Sequence, residues 1–398
     1  MNIIILTVTL FLSASRAAEK SVPDARLVST KNDFGFKVLG ALVQSSPGEN
    51  IFISPYSIAT ALSMTYNGAG GETRTAMAKV LGVAGIERER LNTGERLLAE
   101  LLRKDNPGVE LLIANSLWAR KGIAFNPGFL KTNKEFYQAE IATLDFNNPA
   151  AANKINNWVK DKTKGKIDKI VDQIKPEAVL FLINAVYFKG RWQERFDPKD
   201  TREDKFYLED EPPVPVPMMM RSGKFRYLET AQFQGVELSY GDGKMSMLIF
   251  LPAVGVKLDS LIAPLASATW QEWGNRFRSR QGAVHLPRFK ITYETSLEEV
   301  LVKLGMGVAF DLNRADFSLM GKNRFGFAIG DVKHKSFVEV NEEGTEAAAV
   351  TSVEMVLAAV PEERFEMVVN RPFLFAIQDN ETGAIVFLGV VKSPGRDN

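Results

Sequence analysis

No cysteine occurs in the 398 residues, so disulfide staples, thiol nucleophiles and cysteine-based zinc sites are excluded together. Histidine is nearly as scarce. His285 and His334 are the only two, which removes multi-histidine metal sites such as H-E-x-x-H. Neither a G-x-S-x-G elbow nor a G-x-x-x-x-G-K-[ST] phosphate loop is present. The cluster Gly68-Ala69-Gly70-Gly71 lacks the lysine of a phosphate cradle and reads as a turn between two helices. Either histidine could meet a serine and a carboxylate in space, but no local motif supports such a triad. Charge excess is missing too: 49 Lys+Arg face 48 Asp+Glu, so no global field draws the chain to nucleic acid or an anionic membrane. The apolar run Ile3 to Leu12 is far shorter than the roughly 20 residues of a membrane span. Followed by Ser13-Ala14-Ser15-Arg16-Ala17, it reads as a signal peptide cleaved after Ala17, although Met1-Asn2 supplies no basic residue. A secreted chain without disulfides must take its stability from core size.

Material for such a core is present, at 45% hydrophobic residues. Apolar spacing of three to four predicts helices over Asp33–Val43, Pro55–Tyr66, Glu72–Leu81, Arg88–Lys104 and Ala150–Val171. Strand patterns cover Leu111–Ala119, Ala178–Phe188, Val236–Tyr240, Met245–Leu251, Gly282–Ile291, Phe373–Gln378 and Ala384–Lys392. The expected class is α+β with large sheets. No repeat appears, and the turn-rich Glu209–Pro217 reads as a surface connection, so residues 18–398 are taken as one domain. The sequon Asn380-Glu381-Thr382 lies between two apolar runs, where it is either a glycosylation site at Asn380 or a plain hairpin turn.

The most informative stretch is Val338 to Pro361. From Thr345, alternate residues are Thr345, Ala347, Ala349, Thr351, Val353, Met355 and Leu357, while Glu346 and Glu354 fall on the other side. One face is therefore uncharged and could enter a sheet. An alanine-rich helix is the competing reading, since Ala347 to Ala349 favour helix and Thr351 with Glu354 could form a capping box.

Asn341-Glu342-Glu343-Gly344-Thr345-Glu346-Ala347-Ala348-Ala349 resembles the hinge of the inhibitory serpins, and Asn370-Arg371-Pro372-Phe373 resembles the motif that closes their exposed loop. Further matching blocks follow in the family's order: Asn50 to Ala59, Asn184 to Trp192, Leu286-Pro287-Arg288-Phe289 and Ala315-Asp316-Phe317-Ser318. The resemblance implies a serpin fold with a large mixed sheet, surrounding helices and a reactive loop at about 342–369. It implies an inhibitor rather than an enzyme, monomeric and without cofactor or metal, that traps a serine protease covalently when the cleaved loop inserts as a new strand.

Carried over by motif, the hinge is Glu342, Glu343, Gly344, Thr345, Glu346, Ala347, Ala348, Ala349 and Val350. The gate beneath the opening sheet is Ser54, Ser57, Asn184 and His334. Its upper rim is Trp192, Arg288 and Glu342. The usual spacing places the scissile bond at Ala358-Ala359, suited to an elastase-like pocket, with Leu357 as the chymotrypsin-like alternative. Arg364 lies beyond Pro361 and is discounted as a trypsin-like site. Some serpins bind a glycosaminoglycan through the helix that here carries Arg88, Arg90, Arg96, Arg103 and Lys104. Glu87, Glu89, Glu95 and Glu100 dilute that cluster and favour a salt-paired face, while Lys160 to Lys169 form a second basic run. The rival to inhibition is a serpin-fold carrier or storage protein, against which the uncharged, proline-free hinge argues.

Overall fold

A computed structural model describes residues 24–174, 178–322, 326–345 and 364–395. The proposed signal peptide, the hinge residues Glu346, Ala347, Ala348, Ala349 and Val350, and the bond at Leu357, Ala358 and Ala359 lie outside the described residues.

The helix Pro55–Tyr66 shows how sequence sets the architecture. The side chain of Ser54 caps it by accepting from Ser57 N, Pro55 opens its first turn, and all twelve of its residues are buried. A helix buried all round, with hydroxyls bonded inside, belongs within a molecule rather than on it. It packs beneath a six-stranded sheet formed among the described residues, whose spatial order is Phe289–Ser296, Asp331–Asn341, Gly344–Thr345, Leu180–Arg191, Val109–Arg120 and Glu140–Leu144.

Leu180–Arg191 is buried on both faces, which explains its unbroken apolar run. Phe181, Ile183 and Ala185 meet a small cluster with Trp118, Ile155 and Val159, contributed in part by the helix Ala150–Lys162. Leu182, Val186 and Phe188 join the main core, where Phe188 lies edge-on to Phe387 and Phe52 stacks on Phe375 and Phe387. Asn184 shares their parity and is carried into the same interior.

A nine-stranded sheet built chiefly of antiparallel pairs packs behind it, including Phe233–Tyr240, Val214–Glu229, Arg278–Pro287 and the hairpin Phe373–Asp379 with Ile385–Val391. Both large sheets are mixed, since Asp331–Asn341 pairs Leu180–Arg191 in parallel and Phe365–Val368 pairs Arg278–Pro287 in parallel. The third sheet has two short strands, Ala124–Phe125 and Gly321–Lys322.

Three expected elements differ. The helix anticipated to Val171 ends at Lys162, because Gly165 N closes the turn onto Lys160 O and the chain folds back. Asn156 then holds the returning strip, accepting from Ile170 N and Val171 N and donating to Val171 O, so the apolar residues at helical spacing cover the same helix without extending it. Gly282–Ile291 is two strands in two sheets, Arg278–Pro287 and Phe289–Ser296, split at Arg288. The connection Glu209–Pro217 is partly strand: Val214–Pro217 begins the long Val214–Glu229, with Pro215 and Pro217 on its exposed side.

Candidate functional site

The two central strands of the six-stranded sheet are paired directly only over their lower part, from Asp331 opposite Phe181 to Phe337 opposite Tyr187. Above that they separate. Gly344 and Thr345 fill the gap, antiparallel to both neighbours: Thr345 lies opposite Val340 and Gly190, and Gly344 opposite Asn341 and Arg191. The start of the expected hinge therefore occupies one rung of a seam whose remainder is closed.

Glycine at 344 is a steric requirement. Its φ is +145°, and a Cβ there would lie 2.0 Å from Gly190 O and 2.7 Å from Arg191 Cα. Gly344→Ala is expected to drive the rung out of the seam, measured as faster hydrogen exchange of the 341–345 segment with little change in the rest of the sheet.

The rim groups converge on the same turn. Arg288 Nε donates to both Glu342 carboxylate oxygens at 2.8 and 2.9 Å, and Thr201 Oγ1 also donates to Glu342. Burial raises the Glu342 carboxyl, but the hydrogen bonds from Arg288 and Thr201 outweigh it and hold the group below its ordinary range. Trp192 Nε1 donates to Asn341 O and Trp192 N to Glu343 O, both at 2.9 Å. Trp192, Arg288 and Glu342 thus clamp one turn, although the indole reaches it through backbone carbonyls rather than through the ion pair.

The gate residues meet one level down. His334 and Asn184 are register partners across the closed seam, and Asn184 is in turn the partner of Asn115. Three polar side chains thus run in a row across three strands. Asn184 Nδ2 donates to Asn115 Oδ1 at 2.6 Å and to Ser57 Oγ, while its Oδ1 faces His334 Nδ1 at 2.7 Å. His334 Nε2 accepts from Ser54 N at 3.3 Å, so the ring proton is assigned to Nδ1, which donates to Asn184. Ser54 Oγ donates to Val386 O and Ser57 Oγ to Asn115 Oδ1.

His334, Asn184, Ser54 and Ser57 are fully buried, and burial pushes the imidazole down to about 3. The histidine stays neutral, turned to an amide and a backbone N–H. Asn115 was not singled out from sequence. A polar residue inside the strand pattern Leu111–Ala119 is the signal that could have found it.

Elsewhere the expected sites find ordinary partners. Arg90 pairs with Asp24, Arg96 with Glu100 and Arg103 with Gln138, while Glu95 turns inward to Lys31, which favours the salt-paired reading of that helix. In the second basic run, Lys164 pairs with Glu110 and Lys169 with Asp172. His285 Nε2 lies 3.3 Å from Glu366 Oε1. Asn380 Nδ2 donates to Gly243 O and Ser246 Oγ, and Thr382 Oγ1 donates to Asp379, so the sequon has a structural use as a turn.

Residues 29–394 match the family model described as serpin, serine protease inhibitor. The chain belongs to the serpin family, a class of protease inhibitors. A serpin-like protein of Thermococcus kodakarensis is 37% identical over 92% of this chain and 86% of its own. The leukocyte elastase inhibitor of Xenopus tropicalis is 35% identical over 92% and 99%. Among solved structures, the native thermophilic serpin tengpin superimposes with a TM-score of 0.87, at 34% identity over 93% of this chain and 95% of that one. Human thyroxine-binding globulin complexed with thyroxine gives 0.86, at 29% identity over 94% and 99%.

Proposed function

We propose that this chain is a secreted inhibitor that traps a serine protease covalently, by inserting its cleaved loop between Asp331–Asn341 and Leu180–Arg191. The observation that carries this reading is the Gly344–Thr345 rung, which already separates those strands at the upper end of the seam.

Insertion would proceed by continuing that register downward. The ladders to both strands, followed from Thr345, bring Thr351 opposite His334 and Asn184 alike. Thr345 faces inward and is fully buried, so the same parity would turn Ala347, Ala349, Thr351, Val353, Met355 and Leu357 inward, the uncharged face. The inserting strand must break the His334–Asn184 bond, and the Thr351 hydroxyl would arrive where that bond is lost. Ser54, Ser57 and Asn115 keep their own partners and would hold the other side of the gate. This gives the cluster the role of a reclosable seam rather than a catalytic centre.

The attacked carbonyl is assigned to Ala358, with cleavage before Ala359. A small residue there suits an elastase-like pocket, and one relative of comparable identity is named for leukocyte elastase. Secretion rests on Ile3 to Ala17. A glycan at Asn380 would have to be attached before folding ties up that amide.

The test is incubation of the recombinant mature chain with elastase-like, chymotrypsin-like and trypsin-like proteases, followed by denaturing gels and mass analysis. A complex surviving denaturation and a released peptide beginning at Ala359 are expected with the elastase-like enzyme. Cleavage without a complex, for all three, would favour the carrier reading to which the likeness with thyroxine-binding globulin points.

A further inference from the structure

Thr345 is the last described residue before the loop, and its side chain is bonded rather than merely packed. Its Oγ1 lies 2.8 Å from the hydroxyl of Tyr240, and both residues are fully buried. Tyr240 ends the strand Phe233–Tyr240 and so belongs to the nine-stranded sheet. The bond therefore ties the first inserted rung to the second sheet.

The ring of Tyr240 is fixed independently of that bond. It stacks on Trp192 with centroids 4.4 Å apart and planes 11° from parallel, and it meets Phe188 edge-on at 5.1 Å. Gly190, opposite Thr345, leaves room for it, since a Cβ there would fall 2.7 Å from Tyr240 Cδ1. Backbone bonds pin the same corner: Gly241 N donates to Arg191 O and Gln193 N to Ser239 O, both at 2.8 Å. A rigid ring thus presents one hydroxyl to the seam at the height where the strands part.

We propose that Tyr240 is a positioning residue for loop insertion, whose hydroxyl holds Thr345 in the seam before any protease is met. The inference rests on the inhibitory reading for its consequence but not for its geometry. With the latch made, insertion starts from an opened end, and the next step is the downward extension of an existing strand. Without it, the hinge must first find the seam again while the acyl-enzyme hydrolyses. Tyr240 would then set the share of encounters that end in a trapped enzyme rather than in cleaved inhibitor.

The latch can be removed without altering the packing around it, because Tyr240→Phe keeps the ring. Leaving the buried Thr345 hydroxyl unpartnered is expected to raise hydrogen exchange of the 341–345 segment by about three- to tenfold. Exchange in Phe233–Ser239 should stay unchanged, which a general loss of packing would not allow. The moles of inhibitor consumed per mole of protease trapped should rise in parallel.

Thr345→Val removes the other hydroxyl and should act alike, and the double variant should lose no more than either single one. Unchanged exchange in Tyr240→Phe, or single effects that add fully in the double variant, would overturn the latch. Exchange needs no protease, so a coupled pair in a chain that traps nothing would overturn the inhibitory reading and leave the latch standing. If Tyr240→Phe folds poorly, the comparison of Thr345→Val with Thr345→Ser carries the same test, since serine keeps the hydroxyl.

Discussion

Thr345→Arg is expected to convert the chain from inhibitor to substrate, with cleavage at Ala358-Ala359 retained and the yield of covalent complex reduced at least about tenfold. A tenfold change requires only about 1.4 kcal/mol of added insertion barrier. The site exacts more than that. Thr345 is fully buried beside Tyr240, whose hydroxyl is its partner, and Trp192 stacks on that tyrosine. An unpaired guanidinium placed there faces a desolvation penalty of roughly several kcal/mol.

The rung would leave the seam, and register then works against every later residue. Because successive side chains alternate between faces, a loop that cannot seat Thr345 cannot reach the level of His334 in the same phase. Glu346→Arg places the same guanidinium on the opposite parity and should trap protease nearly as well as the unmodified chain. The ratio of complex to cleaved inhibitor on denaturing gels reads both variants. A normal yield of complex from Thr345→Arg would show that insertion does not begin at this rung.

Much of this seam was legible because its signals are local. The inward parity of Thr345 follows from period-two alternation alone, and the structure places that side chain inside. The helix Pro55–Tyr66 was legible to the residue, since Ser54 and Pro55 mark its start and the apolar run ends in the turn at Asn67 to Gly70. The gate and rim residues were not readable from pattern. A buried His334 beside Asn184 arises from two strands 150 residues apart, and only the motif resemblance linked them.

Tyr240 escaped notice for a similar reason. Next to Gly241-Asp242-Gly243 it reads as the flank of a turn, and the residue that gives it meaning lies 105 positions away. Spacing misled where one face served two purposes. Ile167, Ile170 and Val171 continue the helical period of Ala150–Lys162 because they cover that helix, not because they extend it. At Gly282–Ile291 the strand pattern ran across a change of sheet, since Leu286, Pro287 and Phe289 are buried on either side of Arg288.

The second large effect is expected in acid, where His334→Gln should flatten the dependence of stability on pH. Burial holds the imidazole of the folded chain at about 3, against an ordinary 6.5 for the unfolded one. Between those values the unfolded chain binds a proton that the folded chain does not, so stability rises with pH. The contribution is complete above pH 6.5 and is lost as pH falls toward 3, at about 1.4 kcal/mol per unit.

Glu342 acts in the same direction but lower on the scale. Its carboxyl is held below the ordinary range, so its contribution is present at neutral pH and is lost only as pH falls through that depressed value. Between pH 6.5 and 5 the difference between the unmodified chain and His334→Gln in denaturant unfolding therefore isolates the histidine, since the raised carboxyl of Asp379 is common to both. There the unmodified chain should lose stability more steeply than His334→Gln, by nearly the full slope of one group. Equal slopes would mean that the imidazole is not held neutral by the seam.

The location of that proton gives the pH effect a mechanical meaning. A charged His334 would turn an N–H toward Ser54 N–H, which offers no acceptor, so the contact that anchors the strand Asp331–Asn341 to the cap of the Pro55–Tyr66 helix would fail. Because the proton is taken up only when that contact opens, protection factors along Asp331–Phe337, corrected for the slower intrinsic exchange at lower pH, should fall in mild acid in the unmodified chain and not in His334→Gln. On the proposed insertion, a neutral histidine would keep these two strands closed until the inserting strand displaces their shared bond.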